Sequence, residues 1–174
     1  MRLFLAVDIP EEMKQLINDM EAKINPEYGR FNLVKPENCH ITLKFLGEVN
    51  DEEKIISALK DIKFEPFNLE IKNIGFFPNE NYIKVVWIGF KDDSGLVKLH
   101  DEIESSLKGF KKDFNFKGHI TFMRIKNLKM KKEFIKLMNK IKLPEISFDV
   151  NRFKLYKSTL TKEGPVYEVL EEFK

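Results

Sequence analysis

The chain has 174 residues, of which 43% are hydrophobic and 33% are charged, and its net charge is +2. This composition excludes an intrinsically disordered protein, and the length predicts one domain or a pair of small lobes with a shared core. No apolar run approaches the ~20 residues of a membrane helix, and the first residues lack the features of a signal peptide. The single Cys39 excludes an internal disulfide and favours a reducing cytoplasm.

The first half of the chain predicts alternating strands and helices. Pro10 and the acidic residues after it mark the start of one helix, and Asn50-Asp51 marks the cap of a second. Apolar residues at helical spacing follow each start, whereas alternating apolar runs mark the strands. The expected strands are 2–7, 31–34, 39–46 and 67–77, and the expected helices are 11–24 and 52–62.

The second half repeats this order of elements. The expected strands are 82–90, 119–125, 146–150, 152–159 and 166–173, and the expected helices are 94–107 and 130–141. We therefore expect an α+β fold in a single domain, residues 1–174, with two pseudo-symmetric lobes at approximately 1–78 and 79–174. Each lobe would be an antiparallel or mixed sheet with outer helices, and the lobes would face each other across a central cleft.

A His-x-Thr-x tetrapeptide stands at the equivalent place in both halves, as His40-Ile41-Thr42-Leu43 and His119-Ile120-Thr121-Phe122. These copies contain two of the three histidines in the chain. Alternate side chains of a strand share a face, about 6.6–6.8 Å apart at Cα, so each His and Thr can reach one small group. One copy alone is a weak signal, because Thr is common in strands, but the repetition favours a shared site.

Two histidines and two threonines around one cleft suit acid–base chemistry at a phosphate. Imidazoles with pKa values near 6.5 can serve as acid and base near neutral pH, and hydroxyl groups can bind phosphate oxygens. We expect no metal or cofactor, because the sequence has no glycine-rich phosphate loop, no Cys-x-x-Cys and few zinc ligands. The two copies are nearly equivalent, so the residues alone do not tell which histidine is the acid.

The charges are distributed unevenly along the chain. From Lys108 to Lys142, twelve basic residues stand against only Asp113 and Glu133, so this stretch carries +10 and the rest of the chain −8. A charged run often forms a solvated surface, but around a candidate phosphate site it favours a polyanionic partner.

The sequence resembles the two-histidine phosphoesterases, and specifically the RNA 2′,3′-cyclic phosphodiesterases, also called 2′-5′ RNA ligases. The resemblance extends over nearly the whole chain and includes both motifs with their flanks. The similar stretches are Arg2–Pro10, Pro36–Gly47, Phe77-Pro78, Trp87, His119–Lys126, Leu155–Ser158 and Gly164–Tyr167. One departure is Lys117-Gly118 before the second motif, where the family has a larger residue.

The resemblance implies a LigT-like fold and a metal-independent enzyme that opens RNA 2′,3′-cyclic phosphate ends to 2′-phosphates. His40 would be the proton donor and His119 the proton acceptor, while Thr42 and Thr121 would bind the phosphate. A reversible 2′-5′ ligation with a 5′-hydroxyl end is a further implied activity. The implied partner is RNA with cyclic phosphate termini, such as tRNA halves, and the protein would be a cytoplasmic monomer.

Further residues are candidates for contacts with the substrate. Lys44 shares the face of His40 if the strand is regular, and Arg124 suits phosphate, although strict alternation turns it away from His119 unless the strand bulges. Phe4, Phe45 and Tyr156 could stack on bases. We expect His100, which lies between apolar residues of a helix, to be structural.

Two other functions fit the same residues. One is hydrolysis of small cyclic nucleotides, such as ADP-ribose cyclic phosphate, by the same histidines. The other is a non-catalytic module that binds RNA or nucleotides, for which the histidines would be dispensable. Turnover of RNA ends and of mononucleotides would separate these alternatives.

Overall fold

The computed structural model describes all residues, Met1–Lys174. It contains nine strands and four α-helices. The elements are β1 (Arg2–Asp8), α1 (Glu11–Glu21), β2 (Gly29–Leu33), β3 (His40–Glu48), α2 (Glu52–Leu59), β4 (Phe67–Asn79), β5 (Tyr82–Phe90), α3 (Ser94–Ser106), β6 (His119–Leu128), α4 (Lys131–Lys140), β7 (Ser147–Val150), β8 (Phe153–Thr161) and β9 (Gly164–Phe173). The predicted α+β class is confirmed.

All strand pairs are antiparallel, and the strands follow the order β7-β4-β5-β6-β3-β1-β8-β9, with β2 against the second half of β6. The two motif strands, β3 and β6, are neighbours at the centre of this order. They meet at a single residue pair, Ile41 opposite Ile120. The two motifs are therefore brought side by side, although 79 residues separate them in the sequence.

The strand pairing departs from the expected division of the chain near residue 78. The last strand of the first half, β4, pairs with β5 of the second half, and β8 of the second half pairs with β1 of the first. One lobe is therefore built from β1, β3, β8 and β9, and the other from β2, β4, β5, β6 and β7. Some pairs stay within one half, such as β1 with β3 and β5 with β6, but each lobe is completed by strands from the other half.

The hydrophobic core lies between the sheet and the helices. Ile41 and Ile120, which alternate with the motif His and Thr residues, are fully buried in this core. Met13 and Ile17 of α1 and Leu99 of α3 belong to the same cluster. The strand faces turned away from the helices are free to form the cleft. None of the four helices is long and apolar enough to cross a membrane.

Candidate active site

Both motif strands contain a bulge at the same place. Against β1, Thr42 pairs with Ala6 while Lys44 pairs with Leu5, which leaves Leu43 as the extra residue. Against β5, Thr121 pairs with Trp87 while Met123 pairs with Val86, so Phe122 is extra. A bulge adds one residue and reverses the alternation that follows it. Side-chain directions predicted from strict alternation therefore fail after Thr42 and Thr121.

The first bulge contradicts the prediction that Lys44 binds phosphate. Lys44 is turned into the core and is only 2% exposed. Its Nζ forms an ion pair with Glu104, donates a hydrogen bond to the carbonyl of Lys111 at 2.8 Å and lies 3.3 Å from Asp113 Oδ2. A buried ammonium needs such partners, and they leave it no access to the cleft. Phe45, 66% exposed, emerges in its place.

The second bulge turns Arg124 toward the cleft. Phe122 and Met123 are both fully buried, and the exposed Arg124 that follows lies on the face of His119. Its positive charge lowers the pKa values of both His40 and His119, although burial is the larger cause at each. Arg124 therefore lies near both histidines.

The register of β3 and β6 sets the histidines diagonally across the cleft. Extending the Ile41–Ile120 pair by one residue brings His40 level with Thr121, and Thr42 level with His119. Diagonal neighbours in a regular antiparallel pair are about 7–8 Å apart. A phosphate group between the two rings would thus have one imidazole and one hydroxyl on each side.

Each imidazole is oriented by the chain segment directly before it. His40 Nδ1 lies 2.8 Å from the carbonyl oxygen of Asn38, and His119 Nδ1 lies 2.7 Å from that of Lys117. A carbonyl oxygen only accepts, so Nδ1 carries the hydrogen in both rings and donates it. Nε2 is then the ring atom of each histidine that can take up or release a proton.

Both histidines favour the neutral form more than a free imidazole does. Burial lowers the pKa of His40 below its ordinary 6.5, and the nearby charges of Arg124 and His119 lower it further. The Asn38 carbonyl and Asp8 act in the opposite direction on His40. For His119, burial again lowers the pKa most, and Arg124 adds to the effect.

An aromatic cluster packs around His40. The Phe4 ring lies 4.9 Å from the imidazole and stacks on Tyr156 at 5.2 Å, while Tyr167 meets the imidazole edge-on at 5.5 Å. The pKa of Tyr167 is raised by burial and lowered by Arg124, so the phenol also lies near the arginine. Tyr167 is a site residue that the strand pattern did not single out. Its signal was its place in the stretch resembling the family's closing hairpin.

The closing hairpin is tied to the turn before His40. The side-chain amide of Asn38 donates a hydrogen bond to the carbonyl of Pro165 at 3.0 Å. Tyr156 donates from its hydroxyl to Asp8, which also forms an ion pair with Lys154 at 2.5 Å. These contacts hold β8 and β9 against the His40 side of the cleft.

A second aromatic group packs around His119. Phe77 meets the imidazole edge-on at 5.0 Å, and Trp87 lies 6.0 Å from it. Lys117 places its Nζ 4.7 Å above the Trp87 ring, next to the carbonyl that orients His119. Gly75 and Gly89 leave the space that the Trp87 ring occupies, because a Cβ at either position would collide with it.

Two further predictions concern residues outside the cleft. Cys39 is buried, as expected, and burial raises the pKa of its thiol to about 12, which leaves it unsuited to act as a nucleophile. His100 is also buried and stacks on Phe116 at 4.3 Å. Its role is structural, as predicted. Three side chains are close enough together to hold a metal ion: those of His100, Glu104 and Asp113. The Lys44 ammonium, however, already lies against both carboxylates.

Comparison with known proteins places these features in a family. The profile of the LigT-like phosphoesterases matches residues 7–87 and 89–167. A protein of Methanocaldococcus jannaschii named RNA 2′,3′-cyclic phosphodiesterase is 44% identical over 179 aligned positions, covering 99% of this chain and all of the relative. A protein of the same name from Archaeoglobus fulgidus is 35% identical and covers 99% of both chains.

Solved structures show the same fold. The crystal structure of Escherichia coli LigT complexed with 3′-AMP superposes with a TM-score of 0.77 at 28% identity, over 98% of this chain and 95% of that one. The family profile covers nearly the whole chain and includes both motif strands. With both histidines oriented alike beside one cleft, this protein belongs to the family of LigT-like phosphoesterases.

Proposed function

We propose that this protein hydrolyses RNA 2′,3′-cyclic phosphate ends to 2′-phosphates, with the two motif histidines as acid and base and without a metal ion. The observation that carries the proposal is the matched orientation of the two imidazoles. Each donates from Nδ1 to the carbonyl two residues earlier, which frees both Nε2 atoms for proton transfer at one phosphate. The names of the relatives support the substrate class.

In the proposed reaction, His119 Nε2 takes a proton from a water molecule while the oxygen of that water attacks the phosphorus. His40, protonated at Nε2, gives its proton to the departing ribose 3′-oxygen. The bond between phosphorus and O3′ breaks, and the products are a 2′-phosphate and a free 3′-hydroxyl. One proton enters the protein at His119 and one leaves at His40, so the pair is reset by exchange with solvent. The roles of donor and acceptor rest on the family resemblance.

The remaining site residues would hold the phosphate during this step. Thr42 and Thr121 stand beside the histidines and can donate hydroxyl hydrogen bonds to the non-bridging oxygens. Arg124, whose fork of donors matches phosphate oxygens, would offset the negative charge that shifts among them in the transition state. The two imidazoles supply the proton transfers, so the step needs no metal-bound hydroxide.

The assay that tests the proposal uses an oligoribonucleotide with a 2′,3′-cyclic phosphate end, incubated in EDTA across a pH series. We expect a 2′-phosphate, identified by phosphorus NMR. Because burial lowers both histidine pKa values, the singly protonated pair of the free enzyme is most populated below pH 6.5. The pH profile of kcat/KM, which reports the free enzyme, should therefore be bell-shaped with its maximum on the acidic side of 6.5.

Each other outcome corrects a specific part of the proposal. A 3′-phosphate would keep the two-histidine mechanism but make the 2′-oxygen the leaving group. Turnover that stops in EDTA and returns with a divalent cation would contradict the metal-free mechanism. Turnover of 2′,3′-cyclic AMP without turnover of the oligonucleotide would favour the small cyclic nucleotides as substrates. Binding without any product would favour the non-catalytic module.

Arg124 offers a separate test of the phosphate site. Replacing Arg124 with Lys keeps the charge but loses the fork, and Arg124→Gln removes both. We expect Arg124→Gln to lower kcat/KM by about 10²–10³-fold, as for the loss of one donor that stabilises a transition state, and Arg124→Lys to recover only part of this. Arg124→Gln should also raise the pKa values of both histidines, which NMR titration would detect. Unchanged kinetics in Arg124→Gln would place the arginine outside the reaction.

Three finer points belong to the same proposal. The 2′-5′ ligation is the reverse route, in which a 5′-hydroxyl replaces water as the nucleophile at the same site. We further propose that the protein acts as a monomer, because both histidines of the cleft come from one chain. A cytoplasmic location fits the single reduced Cys39 and substrates such as tRNA halves.

A further inference from the structure

A groove opens at the end of the sheet, where β5 and β6 separate. The pairing of these strands ends at Val85 opposite Arg124. Beyond this pair lies a groove of about 280 Å³. It is lined by residues 81–84 and 125–128 and by Lys131 of α4. We call it the β5–β6 groove.

The lining of the β5–β6 groove is basic and aromatic. Lys84, Lys126 and Lys131 contribute to it, and no carboxylate does. None of these lysines forms an ion pair, although the chain has 28 carboxylate side chains. Lys84 lies 4.6 Å above the Tyr82 ring, which is 59% exposed, and Lys131 donates to the Asn81 carbonyl at 2.6 Å. Unpaired cations in one concavity repel one another, and an anionic ligand relieves this repulsion.

The groove continues from the phosphate site along β6. Lys126 lies two residues beyond Arg124, and buried Ile125 between them shows that both project from the cleft face of the strand. At about 3.3 Å per residue, the distance from His119 to Lys126 is roughly 23 Å. A single strand that ends at the histidines can therefore reach the groove within a few nucleotides.

We propose that the β5–β6 groove binds the single-stranded RNA that precedes the terminal cyclic phosphate, and so makes the enzyme prefer oligonucleotide ends to mononucleotides. This proposal rests on the proposed function. Lys84, Lys126 and Lys131 contact backbone phosphates, and Tyr82 stacks on an unpaired base. Basic grooves with exposed aromatic rings bind single strands in this way without strong sequence preference. The strand is single in the groove because stacking on Tyr82 requires an unpaired base face.

The test compares two double variants that remove equal charge. Lys126→Ala with Lys131→Ala removes two lysines from the groove. The control variant, Lys136→Ala with Lys140→Ala, removes two exposed lysines of α4 that do not line the groove. The substrates are a twelve-nucleotide RNA with a 2′,3′-cyclic phosphate end and 2′,3′-cyclic AMP.

We expect the groove variant to raise the KM for the twelve-nucleotide RNA on the order of tenfold, and to reduce the slope of log KM against log salt by about 1.4. The control variant should change either quantity by much less, and KM for cyclic AMP should stay constant in both. Tyr82→Ala should also raise KM for the longer RNA, and Tyr82→Phe should not, because stacking needs only the ring.

Direct binding separates this proposal from the proposed function. Fluorescence anisotropy with the same RNA ending in a 3′-phosphate requires no hydrolysis. Groove-dependent binding without turnover would overturn the proposed function and support the groove. The groove proposal would be overturned if the groove variant and the control changed KM equally. It would also be overturned if neither variant changed the affinity for the RNA. An equal loss on cyclic AMP would also overturn it, because the variant would then act through the catalytic cleft.

Discussion

Replacing either motif histidine with Asn should lower kcat by about 10²–10⁴-fold, the usual contribution of one positioned general acid or base. Asn keeps a side-chain amide that can donate to the carbonyl of Asn38 or Lys117, but it has no equivalent of Nε2. The change thus removes proton transfer and spares the contact that orients the side chain. The measurement is turnover of the cyclic phosphate oligonucleotide, with a thermal melt of each variant as the control for folding.

The pH profiles of the two variants should also differ. His40→Asn removes the group that must be protonated, so its residual activity should lose the alkaline limb. His119→Asn removes the group that must be neutral, so its residual activity should lose the acidic limb. This difference assigns acid and base independently of the product's identity. A variant of either histidine that turns over at the rate of the unaltered protein would refute the acid–base pair.

Replacing Lys44 with Met should destabilise the protein by about 3–5 kcal/mol, because it leaves the Glu104 carboxylate, whose side chain is only 12% exposed, without its partner. The same change frees the carbonyl of Lys111 and the Asp113 carboxylate from the ammonium. Met has a similar length and no charge, so the loss reflects the missing ion pair more than a cavity. Urea unfolding followed by circular dichroism gives the change in the free energy of unfolding.

A matched pair of variants isolates the cause. Adding Glu104→Gln to Lys44→Met should recover part of the stability, since the second change removes the unpaired charge. Asp113→Asn alone should cost less than about 1 kcal/mol, because this carboxylate is well exposed to solvent. If Lys44→Met kept full stability and raised KM instead, Lys44 would bind phosphate after all and the buried ion pair would be wrong.

Lys44 also connects the two motifs. It lies on β3 beside the first motif, and its partners Lys111 and Asp113 belong to the segment that leads to His119. The carbonyl of Lys117, at the end of that segment, receives the Nδ1 hydrogen bond of His119. Loss of the ammonium should therefore loosen the orientation of the second histidine as well as the core.

The β-strand and helix pattern and the candidate catalytic residues were predicted from the sequence alone. Alternation around His40 and His119 is strict enough to reveal both strands, since Ile41 and Ile120 must face the core while the motif side chains face the cleft. The repetition of the tetrapeptide linked two distant strands without knowledge of their pairing. The resemblance to the two-histidine phosphoesterases then supplied the reaction and the roles of its groups.

Only the tertiary structure decided which neighbours of the motifs enter the site. A bulge depends on how a strand pairs with its neighbour, so the residues at 43 and 122 gave no clear sign of one. The bulge in β3 turns Lys44 into the core, and the bulge in β6 turns Arg124 into the cleft, opposite to the directions predicted by strict alternation. An alignment of the two motifs gives one indication of the bulge, because Lys44 aligns with Met123, an apolar residue that is buried.

The exchange of β4 and β8 between the lobes was likewise decided by long-range pairing. Each strand has a hydrophobic pattern that fits either sheet, and periodicity does not choose between two partners. The same pairing brings Tyr167 of the last strand to His40, across more than 120 residues of chain. The local sequence thus determined which residues are the candidates for the chemistry, and the strand partners determined which residues surround them.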